Sequence, residues 1–311
     1  MTEPNTAPLD CLIVGGGPAG ITAAIYLARF HLRVRVVDAG NSRVLWIPCT
    51  HNHAGYPDGI SGADLLAAMV EQARRYNVPI ENGRVMRVER EGELFVTDWG
   101  QGPVAARTVL LATGIQNRRP QCDEDLHAEA LASGHIRYCP VCDGYEVTDK
   151  RVGVIGTGGR GVAEAVFLRS YTADVTVIES DGPLDLDAEA RERAADAGLT
   201  LVDGPATIVG IEDGRLVVET PSGRHSFDSV YPALGSDSNN TIARQLQAEL
   251  AGDACVVVDN RQRTTVPGLY AAGDIVQGLD QISHAMGEGG VAATTIRNDL
   301  SRQVPLLRAA A

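Results

Sequence analysis

The segment Tyr138-Cys139-Pro140-Val141-Cys142-Asp143-Gly144-Tyr145 holds the residue types best suited to chemistry in this chain. Two cysteines in a Cys-x-x-Cys spacing can close a small disulfide ring and open it again. Such a pair can lower a thiol pKa well below its free value of about 8.5, which supplies a thiolate near neutral pH. Asp143 follows at once, where it can exchange protons with a sulfur leaving group. The alternatives are a zinc half-site or two structural cysteines. A structural zinc site takes four ligands, often as two Cys-x-x-Cys pairs. Only one such pair is present, and Cys11, Cys49, Cys122 and Cys255 are scattered, so no metal is expected.

The elements that must position these cysteines are two glycine-rich turns, one on either side. Leu12-Ile13-Val14 is an unalternating apolar run, as a buried parallel strand requires. It enters Gly15-Gly16-Gly17-Pro18-Ala19-Gly20, with Gly15, Gly17 and Gly20 at the G-x-G-x-x-G positions. An Ala-rich helix follows over 21–30, then a strand over 34–38 that ends in Asp38. The same unit recurs later. A strand over 151–155 enters Gly156-Thr157-Gly158-Gly159-Arg160-Gly161, with Gly156, Gly158 and Gly161 at the fingerprint positions. A helix from 162 to about 170 and a strand over 175–179 ending in Glu179 complete it. Asp38 and Glu179 each lie 23 residues past the first glycine of their unit. Strand, turn, helix, strand and acid together make a dinucleotide site. The glycines admit the pyrophosphate, the helix N-terminus faces it, and the carboxylate accepts from a ribose hydroxyl.

The rest of the chain frames these units. Residues 42–60 form a long irregular loop holding Trp46, Cys49, His51 and Asn52, and a loop of that length is usually functional. Apolar spacing predicts a helix over 62–76. Short strands are expected over 85–99, and a buried strand over 108–114, mirrored by 229–235. Further strand-like pieces are 199–202, 207–212, 216–219, 255–259 and 268–274, before a closing helix over 283–300. Polar stretches at 116–120 and 236–240 are natural linkers. Alternating strands and helices place the chain in the α/β class. With 311 residues there is room for about two domains. A net charge of −13 argues against nucleic acid or an anionic membrane as partner. No apolar run reaches the ~20 residues that span a bilayer. No secretory signal is visible at the N-terminus, and six uneven cysteines do not form a secreted disulfide framework, so a cytoplasmic enzyme is expected.

Taken together, these motifs resemble the low-molecular-mass thioredoxin reductases. Gly15–Gly20 is similar to that family's FAD fingerprint, and Cys139–Gly144 to its Cys-x-x-Cys-Asp-Gly site. Ala112-Thr113-Gly114 is similar to its middle motif and Gly268–Asp274 to its second flavin motif, while Gln281 falls where its Arg-Gln-Ala segment meets the flavin. The likeness runs over nearly the whole chain in the right order. It implies two Rossmann-like dinucleotide-binding domains, the second inserted into the first. An FAD domain would span 1–117 and 245–311, and the inserted domain, carrying the cysteines, 118–244. FAD would be held by Gly15, Gly17, Pro18, Ala19, Gly20, Asp38, Asn52, Thr113, Gly114, Gly273, Asp274, Gln281 and Ile282. Cys142 would face the flavin, Cys139 would attack the substrate disulfide, and Asp143 would be the acid–base group. The resemblance also implies a homodimer, rotation of the inserted domain, and a thioredoxin-like protein or small disulfide as substrate.

The second nucleotide site departs from that pattern. NADPH-dependent members follow the second strand with a His-Arg-Arg-like cluster for the 2′-phosphate. Here Glu179-Ser180-Asp181-Gly182-Pro183-Leu184-Asp185-Leu186-Asp187 carries four acids, and no arginine follows until Arg191. NADPH is therefore expected to bind poorly. An unphosphorylated ribose diol fits Glu179, which leaves NADH, a second FAD or an empty site. A poor nicotinamide site also admits a dithiol oxidase that uses oxygen, or a reductase fed by ferredoxin, although oxidases of this group tend to carry His where Asp143 stands. Arg160 is placed to reach a phosphate or to form a surface salt bridge. Asp280 replaces a usually basic residue, and His284 on the closing helix is a candidate for proton transfer near the flavin.

Overall fold

A computed structural model describes residues 7–307. The chain divides into two compact units, one of residues 1–45, 63–116 and 238–311 and the other of residues 46–62 and 117–237.

The first unit is built on a seven-stranded sheet. Leu9–Val14 lies between Val34–Asp38 and Val104–Leu111, parallel to both. Ile80–Asn82 continues the parallel sheet beyond Val34–Asp38. The long strand Val104–Leu111 serves two partners, with its first half antiparallel to Leu94–Thr97 and its second half parallel to Leu269–Ala271. Leu12, Val14, Val109, Leu111, Leu269 and Ala271 are buried in one apolar cluster on this sheet. The helix Pro18–Arg29 follows the first glycine turn, and the closing helix Ile282–Gln303 packs against it. Gly289 marks their closest approach, since a Cβ there would overlap the carbonyl oxygen of Ala19. Backbone cannot yield as a flexible side chain can. Gly289→Ala is expected to cost about 3 kcal/mol and to lower the thermal midpoint by roughly 5 °C or more, as read by differential scanning fluorimetry.

The second unit repeats the nucleotide-binding strand–helix–strand. Val152–Gly156 lies between Val175–Glu179 and Ser229–Ala233 in a four-stranded parallel sheet, with Gly158–Leu168 as the connecting helix. Gly156 and Gly161 lie so close that a Cβ on Gly156 would overlap the Cα of Gly161. A second four-stranded sheet runs Gly223–Phe227, Arg215–Thr220, Thr207–Glu212, Gln121–Cys122.

Several expectations need correction. Residues 255–259 are not a strand. Val256 makes only isolated bridges to Leu250 and Val276, because Ala254 turns the chain at a φ of 66° and Asp259 accepts from Arg261 N and Arg263 N. Loop hydrogen bonds there override the β propensity of three valines. The polar stretches expected as linkers are partly ordered, since Ile115–Asn117 pairs with Ser236–Ser238. Two nine-residue helices were not anticipated, Glu124–Ala132 and Ala188–Asp196. Each begins at an aspartate that caps backbone N–H groups, Asp123 and Asp187. The loop 46–62 groups with the second unit rather than the first, because Trp46 packs on His127 and Tyr138 at ring distances of 5.9 and 5.6 Å and Arg119 lies over its face at 4.9 Å. Residues 238–244 group with the first unit, where Asn239 and Thr113 exchange hydrogen bonds of 2.9 Å each.

Candidate active site

In the second unit Cys139 and Cys142 are joined as a disulfide with their Cα atoms 5.2 Å apart, inside the range such a bond requires. Local sequence makes the turn. Cys139 is extended, and Pro140, with its fixed φ and no N–H to satisfy, starts a single helical turn over Pro140–Asp143. Cys142 N donates to Cys139 O at 2.9 Å and lies 3.2 Å from Cys139 Sγ, while Asp143 N donates to Cys139 O at 3.2 Å. Val141 on this turn and Tyr145 just past it are exposed to 48% and 80%, which leaves apolar surface beside the ring. Gly144 is buried under the ring of Tyr171, which any Cβ would strike.

Asp143 is half-buried behind this turn. Arg137 Nη1 pairs with its Oδ2 at 3.0 Å, and the fully buried Tyr231 donates its hydroxyl to Oδ1 at 2.9 Å. Burial nonetheless raises the Asp143 pKa above the ordinary carboxylate value, outweighing the pull of Arg137 and Tyr231, and Glu146 adds to the rise. A carboxyl of raised proton affinity next to the cysteine pair in the chain can protonate a thiolate leaving group and take the proton back. Sequence reading missed Arg137, Tyr231, Glu146 and Glu164 around Asp143. Tyr231 is 88 positions away, and no local spacing reveals it.

The first glycine turn fits a dinucleotide. Gly15 has a φ of 108°, and a Cβ would overlap the carbonyl of Ala112. Gly17 begins the helix Pro18–Arg29 without a side-chain cap, whereas aspartates cap the helices that begin at Glu124 and Ala188. The uncapped N–H groups suit a phosphate. Asp38 Oδ1 accepts from Gly16 N at 2.9 Å, which fixes the acid at the rim of the turn. Ala19 and Gly20 continue into that helix. Thr113 and Gly114 follow the strand Val104–Leu111, and Gly114 has open space where a Cβ would point. Gly273 N donates to Glu288 Oε2 at 2.7 Å, and His284 Nε2 lies 3.0 Å from Glu288 Oε1, so His284 acts first as a partner of Glu288. Asp274 and Asp280 share Arg43 at 3.0 and 3.4 Å, and burial together with Asp274 pushes Asp280 up to about 6. Gln281 and Ile282 stand at the start of the closing helix. Asn52 lies with the second unit, exposed, and is within 3.4 Å of the carbonyl of Val141 in the disulfide turn. Cys49 and His51 border Gly59 in the same loop.

The second glycine turn is arranged like the first. Thr157 leaves the helix Gly158–Leu168 without a side-chain cap. Glu179 is buried, with Oε2 accepting from Gly158 N at 3.1 Å and Oε1 from Ser180 N at 3.2 Å. Among the described residues no arginine or lysine pairs with Glu179. Arg191, the first arginine after it, commits its Nε to the carbonyl of Leu186 at 3.0 Å, and Arg160 is exposed.

The family described as pyridine nucleotide-disulphide oxidoreductase matches residues 9–289. The chain is 30% identical over 310 residues to thioredoxin reductase of Mycolicibacterium smegmatis, covering 94% of this chain and 97% of the relative. It is 28% identical over 294 residues to thioredoxin reductase of Listeria innocua serovar 6a, covering 91% of each chain. The solved thioredoxin reductase from Streptococcus pyogenes MGAS5005 superposes with a TM-score of 0.85 at 28% identity, covering 96% of this chain and 100% of that one. The family carries FAD and a pyridine-nucleotide site, which agrees with two glycine turns built to one plan. The chain thus belongs to the pyridine nucleotide-disulphide oxidoreductase family, as a flavoprotein disulfide oxidoreductase of the thioredoxin-reductase-like kind.

Proposed function

We propose that this enzyme exchanges electrons between FAD and a thioredoxin-like protein or small disulfide through Cys139 and Cys142, with little use of NADPH. Bound FAD supplies the two-electron carrier. It is held by the first glycine turn, Asp38, Thr113 and Gly114, Gly273 and Asp274, and the Gln281–Ile282 start of the closing helix. Cys139, as thiolate, attacks one sulfur of the substrate disulfide and expels the other as thiolate. Cys142 then attacks Cys139 and releases the second substrate sulfur, which restores the Cys139–Cys142 bond. Asp143 gives its proton to a departing thiolate and recovers one from the next thiol, so each turnover moves two electrons and two protons. The family resemblance supports a homodimer, and Glu179 favours NADH or another unphosphorylated ribose at the second turn.

The observation that carries this reading is the disulfide on the same turn as a half-buried carboxyl of raised proton affinity. Asp143→Asn is expected to slow disulfide reduction by about 100-fold while the flavin stays bound, as measured by stopped-flow absorbance.

A second reading, a dithiol oxidase, is favoured by the acid-rich stretch after Glu179. One experiment separates the two. The holoprotein is reduced anaerobically with dithionite and mixed either with a thioredoxin-like disulfide protein or with oxygen. Faster reoxidation by the disulfide supports the reductase. Faster reoxidation by oxygen, with oxygen uptake driven by a small dithiol, replaces it with the oxidase. Two flavins per chain would assign the second turn to a second FAD.

A further inference from the structure

The helix of the second glycine turn brings another carboxyl toward the disulfide. Glu164 lies on Gly158–Leu168, which packs against the turn Pro140–Asp143. Its Oε1 is buried and has no hydrogen-bond partner, and the same holds for Glu146 Oε2 just past the cysteines. Three acids, Asp143, Glu146 and Glu164, thus gather behind one disulfide. The cation on their inner side is Arg137, already tied to Asp143 and 3.3 Å from Ser229 Oγ. Tyr231 donates its hydroxyl to Asp143, Tyr171 packs over Gly144, and Arg160 approaches Glu164 from the exposed start of the helix.

We propose that Glu164 is a positioning residue whose carboxylate, behind Asp143, sets how firmly Asp143 and the cysteine leaving group hold a proton. The proposal rests on the reading of Asp143 as the acid–base group. Burial pushes Glu164 up to about 7, with Asp143 adding to the rise and Arg160 opposing it, and Glu164 is ionised above that pH. Its negative charge then stands near the Asp143 carboxyl, on a helix packed against the cysteine turn. Like charges disfavour each other's ionised forms, so the proton stays longer on Asp143 and on the thiol. In the step concerned, two electrons from the flavin break the S–S bond. One sulfur leaves as thiolate, and the other takes the Asp143 proton and becomes a thiol. The reverse step returns that proton.

The test uses the full-length holoprotein, reduced with dithiothreitol and desalted anaerobically. Iodoacetamide alkylation of Cys139 and Cys142 is then followed by mass spectrometry between pH 5 and 10. Wild type, Glu164→Gln, Glu164→Asp and Asp143→Asn are compared at matched flavin content and thermal midpoint. Glu164→Gln is expected to lower the alkylation midpoint by about one pH unit, and Glu164→Asp to restore most of it. A merely structural Glu164 would leave the midpoint in place. Arg160→Gln, a change at an exposed side chain, removes the cation that favours ionised Glu164, so through Glu164 it should lower the midpoint as well, and it carries the test by itself if Glu164→Gln does not fold. An unmoved midpoint in Glu164→Gln, or an unmoved or raised one in Arg160→Gln where that variant carries the test, with a shifted one in Asp143→Asn overturns the role of Glu164 alone. Unmoved midpoints in all variants overturn the acid–base reading of Asp143 as well.

Discussion

A Cys142→Ser protein is expected to keep its flavin and to lose disulfide turnover by at least ~1,000-fold, and Cys139→Ser to do the same. A serine hydroxyl neither forms a disulfide nor ionises near neutral pH, so both exchange steps lose their nucleophile. Cys11, Cys122 and Cys255 offer no substitute. Cys11 is fully buried, and desolvation pushes it up to about 12. Cys255 is pushed up to about 11 by burial and by Asp253, and burial also raises Cys122. Cys139 and Cys142 are brought together by their own turn, through Pro140 and the Cys139 carbonyl. Either serine variant should therefore fold as the wild type does, and its loss reports chemistry. The measurement is anaerobic single turnover of the reduced holoprotein with a thioredoxin-like disulfide. Turnover within tenfold of wild type in either variant would sink the dithiol mechanism in its reductase and oxidase forms alike.

The second large effect concerns the nicotinamide donor. Anaerobic titration with NADH should bleach the flavin at concentrations about 100-fold lower than NADPH requires. Glu179 is buried with both carboxylate oxygens accepting from backbone N–H groups, so it is held in place, and the proposed reading sets a 2′-phosphate beside it. Two unit charges 4 Å apart at an effective dielectric of about 20 repel by ~4 kcal/mol. Solvent screening at an open site reduces that figure, and ~2.7 kcal/mol corresponds to the expected factor of 100. No compensating cation is in place among the described residues, since Arg191 is committed to the Leu186 carbonyl and the intervening acids add repulsion. Tight binding of NADPH would refute this reading of the second turn. Bleaching by neither nucleotide would point to dithiols, ferredoxin or a second flavin as the source of electrons.

Much of this protein is written in short-range spacing. In each unit an apolar strand runs straight into the glycine turn and the terminal acid lies 23 residues past the first glycine, so both nucleotide folds were legible along the chain. The cysteine turn was legible for the same reason, since Pro140 and the two-residue gap fix its geometry without help from distant residues. The helices at Glu124 and Ala188 carried a readable signal in their capping aspartates, but weak apolar periodicity hid them. Residues 255–259 misled because three adjacent valines speak for a strand, while the hydrogen bonds that bend them come from Asp259 and from a bridge to Val276. The surroundings of Asp143, by contrast, come largely from tertiary packing. Tyr231 and Glu164 reach it from a strand and a helix far along the chain, and burial together with Arg137, Tyr231 and Glu146 sets its proton affinity. Electrostatics acts through space and burial through packing, and neither leaves a periodic trace along the chain.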